Sequence, residues 1–281
     1  MGEKLVLALV ALFLSLTATS ALASTALRAQ IVTQAHAYME YVMIQYQSGS
    51  ATVVANSPRP LSQVLAATRK EYGWAVDYED PPYRVSDLTS SSDPRFPSRT
   101  FKVPAGGAFH STYSEPPHMW SRTDSEAAAL DKIVADYNES GNPGQFVVRP
   151  QSDGSYAVVG SEPGSSALPI LDTPISIPSG TRTLGDTLHL IAGAVSAATG
   201  VAVYAAPHPG MLYGLAQTQV TMGATGVPAR NVLVQAFSQA HWKVAWDMRC
   251  AAPMPGCWLN LMIVRRALGT SFGTEKPIPV Q

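Results

Sequence analysis

The chain has 281 residues, of which 46% are hydrophobic and 14% charged, with a net charge of −1. That hydrophobic share suits a folded core and excludes a disordered chain. The low charge, with no basic tract, excludes the electrostatic footprint of a nucleic-acid binder.

The N-terminal segment reads as an export signal. Lys4 precedes an apolar run, Leu5 to Leu16, and Ala21-Leu22-Ala23 is a small-residue cleavage pattern, so residues 1–23 are expected to be removed. The run is short for a bilayer span, which takes about 20 apolar residues. A periplasmic or secreted protein is therefore expected, with no membrane span after cleavage; a retained anchor is the other reading.

Residues 24–48 place Ile31, Ala35, Tyr38, Met39, Val42 and Tyr46 at helical spacing, which predicts an N-terminal helix. Ala51 to Ala55 suits a short strand. Pro58 and Pro60 then feed a helix with Leu61, Val64, Leu65, Thr68 and Tyr72 on one face, closed by Gly73. The stretch "WAVDY" alternates as a half-buried strand, stopped by Pro81-Pro82. Residues 84–122 read as an insertion. Its first part, through 100, is polar and proline-broken, an exposed loop; "FKVPAGGAFHSTYS" suits one strand or a hairpin.

"TDSEAAALDKIVADYNESG" is the clearest helix. Thr123 and Glu126 form a capping box, and Leu130, Ile133, Val134 and Tyr137 form its inner face. "QFVVRP" and "SYAVVG" flank "QSDG", a hairpin pattern. Residues 163–174 read as a linker, rich in Pro and Ser.

Beyond the linker the order repeats. "ISIPSG" is a strand. Leu184, Leu188, Ile191 and Val195 face inward on a helix ended by Gly200. "VAVYAAPHP" and "LAQTQVTMGATG" are strands. "VPARNVLVQAFSQA" is a helix with Leu233, Ala236 and Phe237 inward, and "HWKVAWDMRC" with "CWLNLMIVRR" is a closing hairpin. The expectation is an α+β chain of two tandem small domains, residues 49–162 and 175–266. Each has two helices packed on small β-sheets in the order βαββαββ, and a flexible tail follows at 267–281.

Cys250 and Cys257 end the two strands of the last hairpin. In an exported chain they read as a disulfide. Free thiols or a metal pair are the alternatives, and only His241 stands near enough to add a ligand.

The repeat bears on the acids Asp77, Glu79 and Asp80. "GWAVDYEDPP" of the first half aligns with "GVAVYAAPHP" of the second, which keeps the alternation and the prolines without the carboxylates. They read as a solvated strand end, or as an addition peculiar to the first copy. Asp77, Tyr78, Glu79, Asp80, Tyr83 and Trp120 are the candidate binding residues; no catalytic, cofactor or metal residue is expected.

His110, Glu115 and His118 are spaced poorly for a zinc set and read as surface loop residues; His189, His208 and His241 read as structural or exposed. No G-x-S-x-G elbow and no phosphate-binding glycine loop occurs. Trp242, Val244 and Trp246 share a strand face and read as core.

"ISIPSG", "TLGDTLHLIAGAVSAATGVAVY", "QVTMGATGVPARNVLVQAFSQAHWKVAW" and "CWLNLMIV" together resemble the short N-terminal (STN) domain shared by secretins and TonB-dependent receptors. "PLSQVLAATRKEYGWAVDY" and "EAAALDKIVADYN" with the hairpin after it resemble it more loosely. The resemblance implies an envelope location and protein–protein contact without catalysis. The expected function is an exported interaction module contacting an envelope protein or cell-wall polymer. The alternatives are an envelope-polymer hydrolase using Asp77, Glu79 and Asp80, and a carbohydrate-binding module.

Overall fold

The computed structural model describes residues 40–93, 96–114, 124–161, 168–206, 213–250 and 256–264. The signal segment, Glu115, His118, Trp120, Thr123, His208 and the tail lie outside the described residues. The chain divides into Met1–Tyr41 and a compact unit, Val42–Gln281.

The elements of the first half are β1 (Tyr41–Gln47), β2 (Ser50–Asn56), α1 (Pro60–Tyr72), β3 (Val76–Glu79), β4 (Leu88–Asp93), β5 (Phe96–Pro104), β6 (Ala108–Ser114), α2 (Asp124–Glu139), β7 (Gln145–Pro150) and β8 (Tyr156–Ser161). Those of the second half are β9 (Pro174–Thr183), α3 (Leu184–Thr199), β10 (Val203–Ala206), α4 (Tyr213–Ala216), β11 (Gln219–Pro228), α5 (Ala229–Gln239), β12 (Val244–Cys250) and β13 (Cys257–Ile263). The protein is α+β, with its strands in several small sheets.

The helical faces expected from spacing are the ones buried. Leu130, Ile133, Val134 and Tyr137 of α2, and Leu184, Leu188, Ile191 and Val195 of α3, are all core residues. Each half carries its own hydrophobic cluster. The strand pairings also follow one order in both halves. β3 runs parallel to β8, which pairs antiparallel with β7; β10 runs parallel to β13, which pairs antiparallel with β12. A separate ladder flanks each set: β2 with β6 (β1 beside β2), and β9 with β11.

Three expectations are corrected. The first concerns residues 41–47, which form strand β1 rather than the end of a helix. Ser48 and Gly49, both with positive φ, turn the chain back into β2; two such residues in succession are what a tight hairpin demands. The strand is pinned by Ile44 against the first core and by the Tyr46 hydroxyl on Glu71, 2.8 Å away. The second concerns the polar segment before residue 100, which is no loop: β4 and β5 form an antiparallel hairpin whose backbone pairing needs no apolar alternation. The third concerns the end of the expected linker, which is part of the fold. Residues 170–172 form a turn of 3₁₀ helix, Leu171 is buried in the second core, and Pro174 already belongs to β9.

The halves are also joined more closely than a linker would allow. β12 pairs with β3 in parallel, producing one six-stranded sheet in the order β10-β13-β12-β3-β8-β7. Only two register pairs make this junction, Tyr78 with Asp247 and Glu79 with Met248. Residues paired across a ladder project to the same side of a sheet. Tyr78 belongs to the first core and Met248 to the second. The two cores therefore lie on opposite faces of this shared sheet.

Candidate functional site

Two features stand out: the polar seam where β3 meets β12, and a groove beside the free edge of β6.

The seam overturns the reading of the acids as a solvated strand end. Asp77 and Glu79 are 1% exposed, Asp80 3% and Asp247 1%. Alternation does send Asp77 and Glu79 away from Val76 and Tyr78, as the sequence indicates. That face is covered, however, because the second half's core lies on it.

Each carboxylate has assigned partners. Glu79 pairs with Arg230 at the start of α5 and accepts the Leu171 N–H at 3.1 Å. Arg230 also reaches Asp172 at 2.9 Å, and Asp172 pairs with Arg149. Asp80 accepts from Arg59 Nε at 2.9 Å, the Tyr78 hydroxyl at 2.7 Å, the Tyr83 hydroxyl at 3.2 Å and the Cys250 N–H at 2.9 Å. Arg59 in turn donates to the Cys250 carbonyl at 2.8 Å. Asp247 pairs with Arg69 of α1 and accepts from Ser62 and Arg249.

Asp77 differs from the others because, among the described residues, no arginine is paired with it. Its oxygens accept the Trp246 N–H at 2.9 Å and the Gln151 amide. Burial raises its pKa to about 8, with the Trp246 and Gln151 donors acting the other way. Burial acts to lower the pKa of Arg230 and Arg59, but Glu79 with Asp172, and Asp80 with Tyr78 and Tyr83, together outweigh it, and both guanidinium values rise. Burial and the neighbouring Asp80 hold the Tyr78 hydroxyl well above its ordinary value.

This arrangement extends a short strand pairing. The backbone ladder covers only Asp247 and Met248 of β12. On either side, the N–H groups of Trp246 and Cys250 are taken up by the side chains of Asp77 and Asp80. The acids thus complete a junction that backbone groups alone leave two residues long. The Cys250–Cys257 disulfide is present and closes the β12–β13 hairpin beside this junction.

Three arginine partners, Arg59, Arg69 and Arg230, and the fourth buried acid, Asp247, are not legible as a site from the sequence pattern alone. A signal does exist: Arg69 falls four residues after Leu65 on the inner face of α1, and Arg230 three before Leu233 on that of α5. An arginine at a core position requires a buried acid.

The second feature is a groove of about 460 Å³ between β6 and α2, lined by Ala108 to Thr112 and by Lys132, Asp136, Glu139 and Ser140. Among the described residues, β6 is the terminal strand of its sheet. The Ser57 N–H on the Gly107 carbonyl sets the phase of pairing with β2, so the main-chain groups of His110 and Thr112 face the free edge. At the near end, the Asn142 amide donates to the Ala108 carbonyl and accepts the Gly107 N–H. His110, expected on the surface, thus lines this groove.

The aromatic candidates divide. Trp74 and Trp246 are core, and Trp242 packs against the second core. Tyr204 and Trp258 stack on the exposed sheet face with centroids 4.7 Å apart. Among the described residues, no three His, Cys, Asp or Glu side chains converge on a metal position, and no helix is long and apolar enough to cross a membrane. No protein-family model, curated protein or solved structure matches the chain.

Proposed function

We propose that the chain is an exported, non-catalytic contact module of the bacterial cell envelope, of the STN-like kind. It recognises a protein partner by adding an extended segment to the free edge of β6. The observation that carries this reading is the open polar groove between that edge and α2. A strand edge flanked by a helix offers main-chain hydrogen bonds for affinity and side-chain positions for selectivity. The occupancy of Asp77, Glu79 and Asp80 supports the non-catalytic part: a general acid or base must reach a substrate, and these are spent inside the fold.

The test is retention of envelope proteins on the immobilised chain, comparing His110→Pro with His110→Val. Proline removes an N–H at the free edge without breaking the pairing to β2. The expected result is loss of a retained protein for the proline variant alone, with unchanged circular dichroism. Equal retention by both variants would refute edge recognition.

The exposed Tyr204–Trp258 stack supports a second reading, contact with a cell-wall glycan through aromatic surface. It is tested by tryptophan fluorescence against wall fragments, with Trp258→Ala as control. No spectral response removes it.

A further inference from the structure

The β4–β5 hairpin stands apart from every other sheet. Among the described residues its two strands pair only with each other, so both outer edges are open. A two-stranded hairpin is marginal alone in water, and open edges invite further pairing. Natural edges are commonly short or blunted; β5 runs nine residues, from Phe96 to Pro104.

Charge separates this hairpin from the β6 groove. Residues 88–104 carry Arg95, Arg99 and Lys102 against the single acid Asp93. The groove wall is α2, which brings the acids Asp136 and Glu139 and the base Lys132 to the lining. Lys132 is already paired with Asp136, while Glu139 has no ion pair among the described residues. Among the described residues, Lys102 meets only the Ser90 hydroxyl, at 2.9 Å. One part of the molecule therefore offers a basic, extended segment with an open edge. Another offers an open edge beside an acidic helix.

We infer that the occupant of the β6–α2 groove is the β4–β5 hairpin of a second copy of this chain. This rests on the edge-recognition reading and names its partner. The contact is heterologous, since hairpin and groove are different surfaces, so each copy can give and receive once and the assembly grows head to tail. Opposite charge steers the approach and sets the pairing partner, while main-chain bonds along β6 hold the added strand.

The experiment is sedimentation of the purified full chain over about 1–100 µM, at about 50 mM and about 500 mM salt. The expected result is concentration-dependent growth beyond a dimer, suppressed at the higher salt. Lys102→Glu spoils the hairpin and Glu139→Lys spoils the groove. Each alone should weaken self-association by roughly tenfold or more, and the double variant should recover part of it. In a mixture of the two single variants every hairpin meets a groove of opposite charge on the other variant, so the mixture should associate more than either variant alone. Glu139 is exposed and Lys102 half-buried, and circular dichroism verifies folding of each variant.

A chain that stays monomeric throughout, or associates without regard to either substitution, overturns the inference. Should monomers persist while the proline variant still loses a retained envelope protein, the groove serves a foreign strand: the self-assembly proposal falls and edge recognition stands. Loss of both refutes both.

Discussion

Tyr78 lies directly opposite Asp247 in the ladder that joins β3 to β12, and the two side chains share one face of the sheet. On that face Tyr78 enters the first core, while Asp247, from the other half, reaches Arg69 of α1. The next pair reverses the roles. Met248 enters the second core and Glu79 reaches Arg230 of α5. Each seam strand thus supplies apolar residues to its own half and an acid to an arginine on the other half's helix. The exchange fixes register, since a slip by one residue would turn every one of these side chains to the wrong face.

Removal of one partner from this exchange leaves a buried charge uncompensated. Arg69→Ala is expected to cost about 3–5 kcal/mol in urea unfolding. The paired replacement Arg69→Met with Asp247→Leu should cost clearly less than the sum of the single changes, because apolar groups of similar volume need no partner. Strict additivity would show that the pair does not act as a unit.

The pH dependence of stability should carry the mark of Asp77. Its folded pKa, raised by burial to about 8, lies above the ordinary carboxylate value. Between about pH 4 and pH 8 the folded chain therefore keeps a proton that the unfolded chain has released. The stability from this group is present in full at acid pH, declines as pH rises through that window, and is flat above it. Asp77→Asn removes the dependence. The new amide keeps an acceptor for Trp246 N–H and offers a donor to Gln151, whose Oε1 is buried without a partner among the described residues. In urea melts the variant should gain on the wild type from pH 5 to pH 8. A constant difference would contradict the assignment.

The sequence made the local part of this fold readable and left the seam obscure, for a physical reason. The inner faces of α2 and α3 and the Cys250–Cys257 hairpin depend on neighbours within a few turns, so spacing reveals them. Asp77, Glu79 and Asp80 depend on Trp246, Arg230 and Cys250, about 150 residues or more away along the chain. A strand alternates in the same way whether its second face meets water or another core. β1 was ambiguous for a related reason: Val42 and Tyr46 fit a helical stripe, while Tyr41, Val42, Ile44 and Tyr46 are also β-formers.

The disulfide should act on the seam as well as on its own hairpin. Closing so short a loop is worth about 2–3 kcal/mol, and Cys250 is held through both main-chain groups by Asp80 and Arg59. Replacing Cys250 and Cys257 together by Ala should lower stability by about that amount. Hydrogen exchange should show amides of β12 and β13 losing protection more than those of β7 and β8. Uniform loss across the sheet would mean that the seam does not open locally.

Two glycines give opposite expectations from one rule of space. At Gly160 in β8, an added Cβ would fall 2.4 Å from Pro81 Cα and 2.6 Å from Pro81 N. Those are backbone atoms of the corner that follows β3, with Asp80 and Glu79 fixed just before it by their arginines. The corner cannot retreat without pulling on the seam, so Gly160→Ala should destabilise by about 1–3 kcal/mol or more. At Gly193 in α3 nothing lies within 4 Å of the same position, and the residue is exposed within a helix. There Ala carries only its better helix propensity, and Gly193→Ala should stabilise by about 0.5–1 kcal/mol. Thermal melts of the two variants should move in opposite directions; a Gly160→Ala protein as stable as the wild type would mean that the Pro81 corner is free to shift, and with it the seam.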